Sequence, residues 1–180
     1  MSFNQRILFF LTEIFLLGAV IFYWYSGVKS EVTAKNFIEC AEAGNPIMES
    51  YPRRCRTSEG VTFSENIGDE LLKSELVRLS FPRPNEAIKS PLIIRGEARG
   101  FWFFEASFPV KLFDGNGKEL AVSIASAKSE WMTEDFVLFE ATLSFDKPET
   151  EYGALVLEKD NPSGLPEHSD NFVVPIRFTP

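Results

Sequence analysis

Side chains able to carry out chemistry are few in this sequence. The histidine content is one residue, His168, and the two cysteines are Cys40 and Cys55. Three soft ligands are too few for a closed zinc site, and one histidine argues against a histidine-based nucleophile set. The motifs of serine hydrolases, phosphate-binding loops and zinc proteases are also absent. The sequence therefore predicts a protein that is not an enzyme and that uses no metal ion and no cofactor.

Acidic side chains offer two weaker candidates for chemistry. Glu134 and Asp135 could form a glycosidase pair, but adjacent residues of a strand face opposite ways. The segments 114–117 and 159–164 lack the ligand spacing of a calcium-binding loop and are more typical of turns. Neither candidate changes the prediction.

Charge and size restrict the class of protein further. The chain has 180 residues, with 18 Lys or Arg against 26 Asp or Glu, so its net charge is -8. A protein of that charge repels a phosphate backbone, which argues against nucleic acid as a partner. The length suits one domain with an appendage.

An apolar segment near the N-terminus predicts a membrane anchor. Residues Ile7 to Tyr25 form an apolar run that only Thr12, Glu13 and Gly18 interrupt. As a helix this run would extend about 28 Å, close to the hydrocarbon thickness of a bilayer. The aromatic residues 23–25 suit the point where a helix leaves the lipid. We expect residues 1–6 inside the cell, residues 7–25 across the membrane as a single-pass helix, and a linker at 26–35.

Two alternatives for this segment remain open. A cleaved signal peptide requires small residues at its end, whereas Tyr23, Trp24 and Tyr25 are bulky; a buried core helix is the other alternative. Glu13 lies in the middle of the apolar run, where a charged carboxylate is costly. It is a candidate contact with a membrane partner, or a carboxylate tolerated in a single-pass helix.

Residues 36–70 predict a small module closed by a disulfide between Cys40 and Cys55. The ring would stabilise a module with little core by about 3 kcal/mol, and an oxidised pair implies an extracytoplasmic location. The alternative is two reduced thiols in the cytoplasm. The apolar spacing predicts a short helix between Val32 and Ala43, and residues 60–63 predict a brief strand. Arg53, with Arg54 and Arg56, is a solvated face or an anion-binding patch.

From residue 77 onward, alternating apolar and polar residues predict an all-β fold. The pattern is clearest where Val137, Phe139, Ala141 and Leu143 alternate with polar residues or Leu138. Asp114–Gly117 predicts a hairpin turn, and Pro175 predicts that the last strand is an edge strand. About seven strands in residues 77–180 suit an immunoglobulin-like antiparallel β-sandwich. The predicted strands are Val77–Phe81, Leu92–Ala98, Phe103–Phe113, Glu119–Ala127, Val137–Phe145, Gly153–Lys159 and Asn171–Phe178.

Specific runs of this domain resemble a known family. They are Ser90–Gly100, Phe103–Phe108, the Asp114–Gly117 turn, Trp131 before Phe136, the Phe139–Phe145 strand, Gly153–Leu157 and Asp160–Gly164. Together they resemble the immunoglobulin-like domain family of bacterial spore germination proteins, over residues 77–180. The resemblance implies a β-sandwich at the cell surface and supplies no catalytic residues. Such domains also occur in bacteria that make no spores.

Four consecutive aromatic residues, Phe101 to Phe104, predict a candidate binding surface. Alternation along a strand can bury only half of them, so at least one ring should be exposed. We therefore assign Phe101, Trp102, Glu105 and Trp131 as candidate contacts, the alternative being that they serve packing. The expected function is a binding, adhesion or scaffold module for an unknown extracytoplasmic protein, or alternatively a module that binds carbohydrate or peptidoglycan through exposed rings.

Overall fold

The computed structural model describes residues 34–179. The predicted anchor at 7–25, with Glu13, lies outside this range. Within residues 34–179 no helix is long and apolar enough to span a bilayer. The chain divides into two compact units, one containing described residues 34–47 and 55–63 and the other containing 48–54 and 64–179.

The first unit contains a short helix, α1 (Phe37–Glu42). Its start is set by Asn36, whose side-chain oxygen accepts a hydrogen bond from the Glu39 backbone N at 2.9 Å. The Glu39 carboxylate returns the contact by accepting from the Asn36 amide at 2.8 Å. The Asn36 side chain thus satisfies the Glu39 backbone N–H at the first turn, and α1 lies within the stretch Val32–Ala43 for which a short helix was predicted.

The predicted disulfide is present. Cys40 lies on α1 and Cys55 on a short strand, and their Cα atoms are 6.0 Å apart. Both cysteines are fully buried and, with Ala34, form a small core to which Phe37 and Phe63 contribute. Three short strands, β1 (Ile47–Met48), β2 (Arg54–Arg56) and β3 (Thr62–Ser64), form a sheet in the order β1-β2-β3.

The second unit is a curled, sandwich-like sheet in which β5 pairs with β11 in parallel and the other strand pairings are antiparallel. Its order is β4-β6-β9-β8-β7-β10-β11-β5, and it folds over at β8, which pairs with β9 only at Ser126 and Ala127. The seven predicted strands are present, some with shifted ends, most of all β7, which starts at Ser107 and not at Phe103, and the two-residue β5 was not predicted. The strands are β4 (Val77–Phe81), β5 (Ala87–Ile88), β6 (Leu92–Arg99), β7 (Ser107–Asp114), β8 (Glu119–Ala127), β9 (Phe136–Leu143), β10 (Tyr152–Glu158) and β11 (Asn171–Phe178).

The core of the sandwich follows the predicted alternation. On β9 the side chains of Val137, Phe139, Ala141 and Leu143 are buried, whereas Leu138 is exposed. The same alternation buries one face of β6, β7 and β11. Edge-to-face rings add to the apolar burial, because the Phe108 ring lies 5.0 Å from both the Phe103 and the Phe139 rings.

The outer side of β11 is covered more than the sequence analysis predicted. Its edge carries β5, which pairs only with Arg177 and Phe178, so Pro175 has no strand partner on that side. There the Pro175 carbonyl accepts from the Asn85 backbone N at 2.7 Å. Asp69 exchanges hydrogen bonds of 2.9 Å with the Val173 backbone. Irregular backbone therefore protects this edge, as edge strands require.

The turn between β7 and β8 is present at the predicted place. The Asp114 side chain accepts from the backbone N of Asn116 and of Lys118, each at 2.9 Å. Gly117 has a positive φ of 81°, whereas Asn116 does not lie in the left-handed region. The glycine therefore supplies the left-handed residue that this hairpin needs.

An ion pair between Arg53 and Glu65 makes the stability of this unit depend on pH. The Arg53 guanidinium donates to both oxygens of Glu65, at 2.8 and 2.6 Å, and Asn85 donates to Glu65 at 3.0 Å. Arg53 therefore has a structural partner and is not a simple solvated charge. Its hydrogen bonds, opposed in part by burial, hold the pKa of Glu65 below its ordinary value.

We expect Glu65→Gln to lower the free energy of unfolding by about 1 kcal/mol at neutral pH, because half-exposed Arg53 weakens the pair through solvent screening. A lowered pKa stabilises the fold above the ordinary carboxyl pKa of about 4.3, and that contribution is lost as pH falls through the lowered pKa. The free energies of unfolding of the variant and the parent, measured with urea, should thus differ at pH 7 and become equal in acid. An equal difference at both pH values would contradict the assignment, and Glu149→Gln at an exposed position is the control.

Candidate functional site

Three connections lie at one end of the sandwich. Strands β6, β8 and β10 end there, and β7, β9 and β11 begin there, because the pairings are antiparallel. The connections are residues 100–106, 128–135 and 159–170, which we call the loop end. Backbone hydrogen bonds join them: Gly100 N donates to Asp135 O, and Asp160 N donates to Trp102 O, both at 3.0 Å. The loop end is therefore built on the rigid sheet.

The four aromatic residues do not continue a strand as predicted. A 3-10 turn at Gly100–Trp102 rotates the chain, and β7 starts only at Ser107. As a result Trp102 and Phe103 are both buried, whereas Phe101 is 50% exposed and Phe104 is 41% exposed. The run therefore places one pair of rings in the core and presents the other pair to solvent.

Trp102 does not belong to the exposed surface to which the sequence analysis assigned it. Its side chain has no exposed area and is the largest of the fully buried side chains. The 3-10 turn explains the difference, because helical rotation replaces the period of two on which the prediction depended. Phe104, left unassigned in the sequence analysis, is exposed instead.

Gly100 is the residue that permits this arrangement. A Cβ atom at this position would overlap the backbone carbonyl oxygens of Trp131 and Thr133. Only glycine allows the 128–135 loop to approach so closely. A glycine directly before the aromatic run is the one sequence signal that could have indicated the break in the strand.

The remaining predicted contacts are brought to the same end with different exposure. Glu105 is exposed, whereas Trp131 is half-buried and packs against the sandwich core. Beside them, Met132 is 74% exposed and Leu165 is 48% exposed. These two apolar side chains were missed by the sequence analysis, because they lie in polar loops without periodicity.

Glu105 and Ala106 form a tight turn with unusual backbone angles. Their φ angles are 48° and 60°, and Phe104 and Ser107 exchange backbone hydrogen bonds of 3.0 Å across the turn. Two positive φ angles are typical of a type I′ hairpin turn, which favours Asn-Gly. Residues other than glycine are disfavoured there by about 1 kcal/mol or more.

We expect the double substitution Glu105→Asn and Ala106→Gly to raise the free energy of unfolding by about 1 kcal/mol, because it removes left-handed strain from side chains. Denaturant midpoints measured by tryptophan fluorescence would show the gain. The matched control is Gly117→Ala, which places a side chain at a positive φ and should lower the free energy of unfolding by a similar amount. A stability loss in the Asn-Gly variant would show that the Glu105 side chain itself stabilises the turn.

A polar groove of about 540 Å³ lies beside the aromatic residues of the loop end. Its wall includes Lys159, whose Nζ lies 5.8 Å from the centre of the Phe101 ring. Asp170, also in the wall, is paired with Lys73 at 2.6 Å. The groove is lined by Pro109, Glu158, Lys159, Asp160, Asn161, Gly164, Ser169, Asp170 and Asn171. Its lining is predominantly polar and suits a polar ligand.

The geometry of the loop end shows no arrangement for metal chemistry in the part of the chain described. No group of three or more His, Cys, Asp or Glu side chains there could hold a metal ion. Glu134 and Asp135 are both exposed, and His168 is exposed in the 159–170 loop. The loop end can present rings, carboxylates and amides to a partner.

Comparison with protein families supports the resemblance. Residues 76–164 match the immunoglobulin-like domain of bacterial spore germination. The match to this germination-type domain begins at β4 and ends in the 159–170 loop, so it includes β10 but not β11. No curated protein and no solved structure gives a significant match to the chain.

Proposed function

We propose that this chain is a membrane-anchored, extracytoplasmic protein of the bacterial envelope, and that its immunoglobulin-like domain is a non-catalytic scaffold that binds another protein. The observation that carries the proposal is the loop end. Phe101 and Phe104 are exposed there, and the buried residues Trp102 and Phe103 lie between them in the chain.

The arrangement of these rings supports a binding role. Large apolar side chains that are exposed together on one surface are typical of interaction sites. Burial of Trp102 and Phe103 fixes the backbone between the exposed rings. Two backbone hydrogen bonds hold the same connection, because Gly100 N donates to Asp135 O and Trp102 O accepts from Asp160 N. A pre-organised surface loses less conformational entropy when it binds, which favours affinity.

Two features support the proposed location. The apolar run at 7–25 has the length of a transmembrane helix. The Cys40–Cys55 disulfide is of a kind that persists in oxidising compartments. We infer that the N-terminus lies inside the cell and that both described units lie outside the cytoplasmic membrane.

A second candidate function is binding of carbohydrate or peptidoglycan. The observation that favours it is the polar groove, whose lining includes Asp160 and Asn171, and whose wall residue Lys159 lies 5.8 Å from the centre of the Phe101 ring. Sites for polar ligands commonly combine a few such groups with an aromatic wall. The neighbouring aspartates and amides suit sugar hydroxyls.

Protease and thiol accessibility on intact cells tests the location. The full chain is expressed in a bacterial host, and maleimide labelling of Cys40 and Cys55 is compared before and after reduction. We expect external protease to digest the sandwich and thiols to label only after reduction. A protected sandwich with freely labelling thiols would place both units in the cytoplasm and overturn the proposal.

Cell-wall pull-down separates the two binding functions. Wall binding that falls in Phe101→Ala, but not in the control Val122→Ala, supports the carbohydrate function. Val122 is 51% exposed on β8 and so matches Phe101 in exposure. No binding to wall material by the folded parent would reject it. Trp102→Ala is unsuitable for this test because it removes a buried side chain.

Glu13 remains a proposed contact within the membrane. If the Glu13 carboxylate pairs with a polar group of another anchor helix, Glu13→Leu removes that contact. The amount of detergent-stable oligomer should then fall. Crosslinking of the full chain in a mild detergent, followed by gel analysis, measures this. Unchanged oligomers would reject the contact, and Thr12→Val controls for altered polarity of the run.

A further inference from the structure

We propose that the loop end binds a cationic protein segment, one in which an apolar or aromatic residue is flanked by Lys or Arg. This inference rests on the proposed binding function and names the chemistry of the partner. Two properties of the same surface carry it: its apolar centre and the sign of the charge around that centre.

What we call the apolar centre is the set of four exposed apolar side chains in the three connections, one or two from each. They are Phe101 and Phe104 from residues 100–106, Met132 from 128–135 and Leu165 from 159–170. Each is at least 41% exposed. Rings and a methionine suit an apolar anchor residue of a partner, because they adapt to its shape and offer large contact area.

The charge of the loop end is strongly negative. Seven acidic residues and two basic residues lie in the three connections, so their net charge is -5. The acidic residues are Glu105, Glu130, Glu134, Asp135, Asp160, Glu167 and Asp170, and the basic ones are Lys128 and Lys159. Two cations from outside the connections also lie there, because Lys73 pairs with Asp170 and Arg99 donates to the Glu134 carbonyl oxygen at 3.2 Å. These two charges change the net charge of this end from -5 to -3, so it remains negative.

Both lysines of the loop end are already engaged. Lys128 lies 3.2 Å from Glu140, and Lys159 faces the Phe101 ring. Lys128 and Arg95 together hold the pKa of Glu140 below its ordinary value, Arg95 having the larger effect. By contrast, Glu105, Glu134 and Asp135 form no ion pair within residues 34–179. Their charge remains available to a partner.

Complementarity then selects among partners. Acidic groups around an apolar centre attract a basic segment and repel anionic lipid headgroups and acidic polymers. The Lys159 ammonium lies over one face of the Phe101 ring. An arginine or lysine of a partner could bind an exposed ring of this surface in the same way. A protein segment supplies both the apolar anchor and the flanking cations.

The first test is direct binding of a defined probe. The full chain is placed in nanodiscs of zwitterionic lipid, and a fluorescent peptide GKKWLKKG is titrated against it, with GEEWLEEG and GKKSSKKG as comparison peptides. We expect binding of GKKWLKKG only, and weaker binding as salt is raised from about 0.05 M to about 0.5 M. Equal binding of GEEWLEEG, or no binding of any peptide, would overturn the proposal.

Variants locate the site. Phe101→Ala with Phe104→Ala should weaken binding of GKKWLKKG by about tenfold, as loss of an interface anchor does. Glu134→Gln with Asp135→Asn should also weaken it and reduce its salt dependence. The matched control, Val122→Ala with Ile124→Ala, removes side chains of 51% and 52% exposure from β8 and should leave binding unchanged. Equal loss in the control would place the site elsewhere.

Three further outcomes distinguish this inference from the proposed function. Stronger binding to nanodiscs of anionic lipid than to GKKWLKKG would identify a lipid surface as the ligand and overturn the inference. Failure of all peptides, with accessibility results that place the sandwich outside the membrane, would reject the cationic partner and leave the location intact. Protection of the sandwich on intact cells would reject the proposed function independently.

Discussion

Replacing Trp102 by alanine is expected to lower the free energy of unfolding of the sandwich by about 3–5 kcal/mol. Trp102 has no exposed area and is the largest fully buried side chain. Its removal leaves a cavity in the buried core to which Phe103 and Phe108 also belong. Chemical denaturation followed by circular dichroism measures the loss, since it does not depend on tryptophan fluorescence.

Trp102→Phe provides a sharper comparison at the same site. The indole Nε1 is buried and has no hydrogen-bond partner among residues 34–179, an arrangement that typically costs about 1–3 kcal/mol. Phenylalanine removes that group and keeps most of the apolar volume, so it should cost less than half of what alanine costs. A loss equal to that of alanine would show that the indole nitrogen has a partner in solution.

Phe101→Ala is the matched control on the neighbouring residue. Because Phe101 is half exposed, its removal should change the free energy of unfolding by only about 0.5 kcal/mol. The two residues thus separate stability from binding. Trp102→Ala would reduce binding by unfolding the loop end, whereas Phe101→Ala would reduce binding in a folded domain. A large destabilisation by Phe101→Ala would contradict this division.

The sandwich was largely predictable from the sequence because its strands alternate. On β9, Val137, Phe139, Ala141 and Leu143 repeat at the period of a half-buried strand, and the structure buries each of them. Two residues of β5 are too few to show any period, so that strand was missed. The cover of β11 by Asp69 and Asn85 depends on pairing between distant residues, which no local pattern contains.

The loop end was predictable only in part. The run Phe101–Phe104 indicated exposed aromatic rings, yet which rings are exposed depends on the 3-10 turn at Gly100–Trp102. Glu105-Ala106 carries no sequence signal of a type I′ turn, because neither residue favours a positive φ. Exposure of Met132 and Leu165 follows from where their loops are held, and that is decided by contacts between connections.

Removal of the disulfide is expected to unfold the first unit and to leave the sandwich folded. The ring closed by Cys40 and Cys55, with a sequence separation of 15, stabilises by about 3 kcal/mol in the chain-entropy account. Among the described residues of this unit, only Ala34 and the two cysteines have buried apolar side chains. Such a small core cannot replace the contribution of the cross-link.

Hydrogen exchange of the full-length Cys40→Ala, Cys55→Ala variant measures this loss. Amides of α1 should lose protection, whereas those of β6 and β9, which lie within the sandwich core, should keep it. Reduction of the parent protein should reproduce the same pattern and should have no effect on the variant. Retained protection in α1 would show that Phe37, Phe63 and the capped helix suffice without the bond. With the expected result, the module would be unstable in a reducing cytoplasm, which would link its folding to the extracytoplasmic location proposed for this chain.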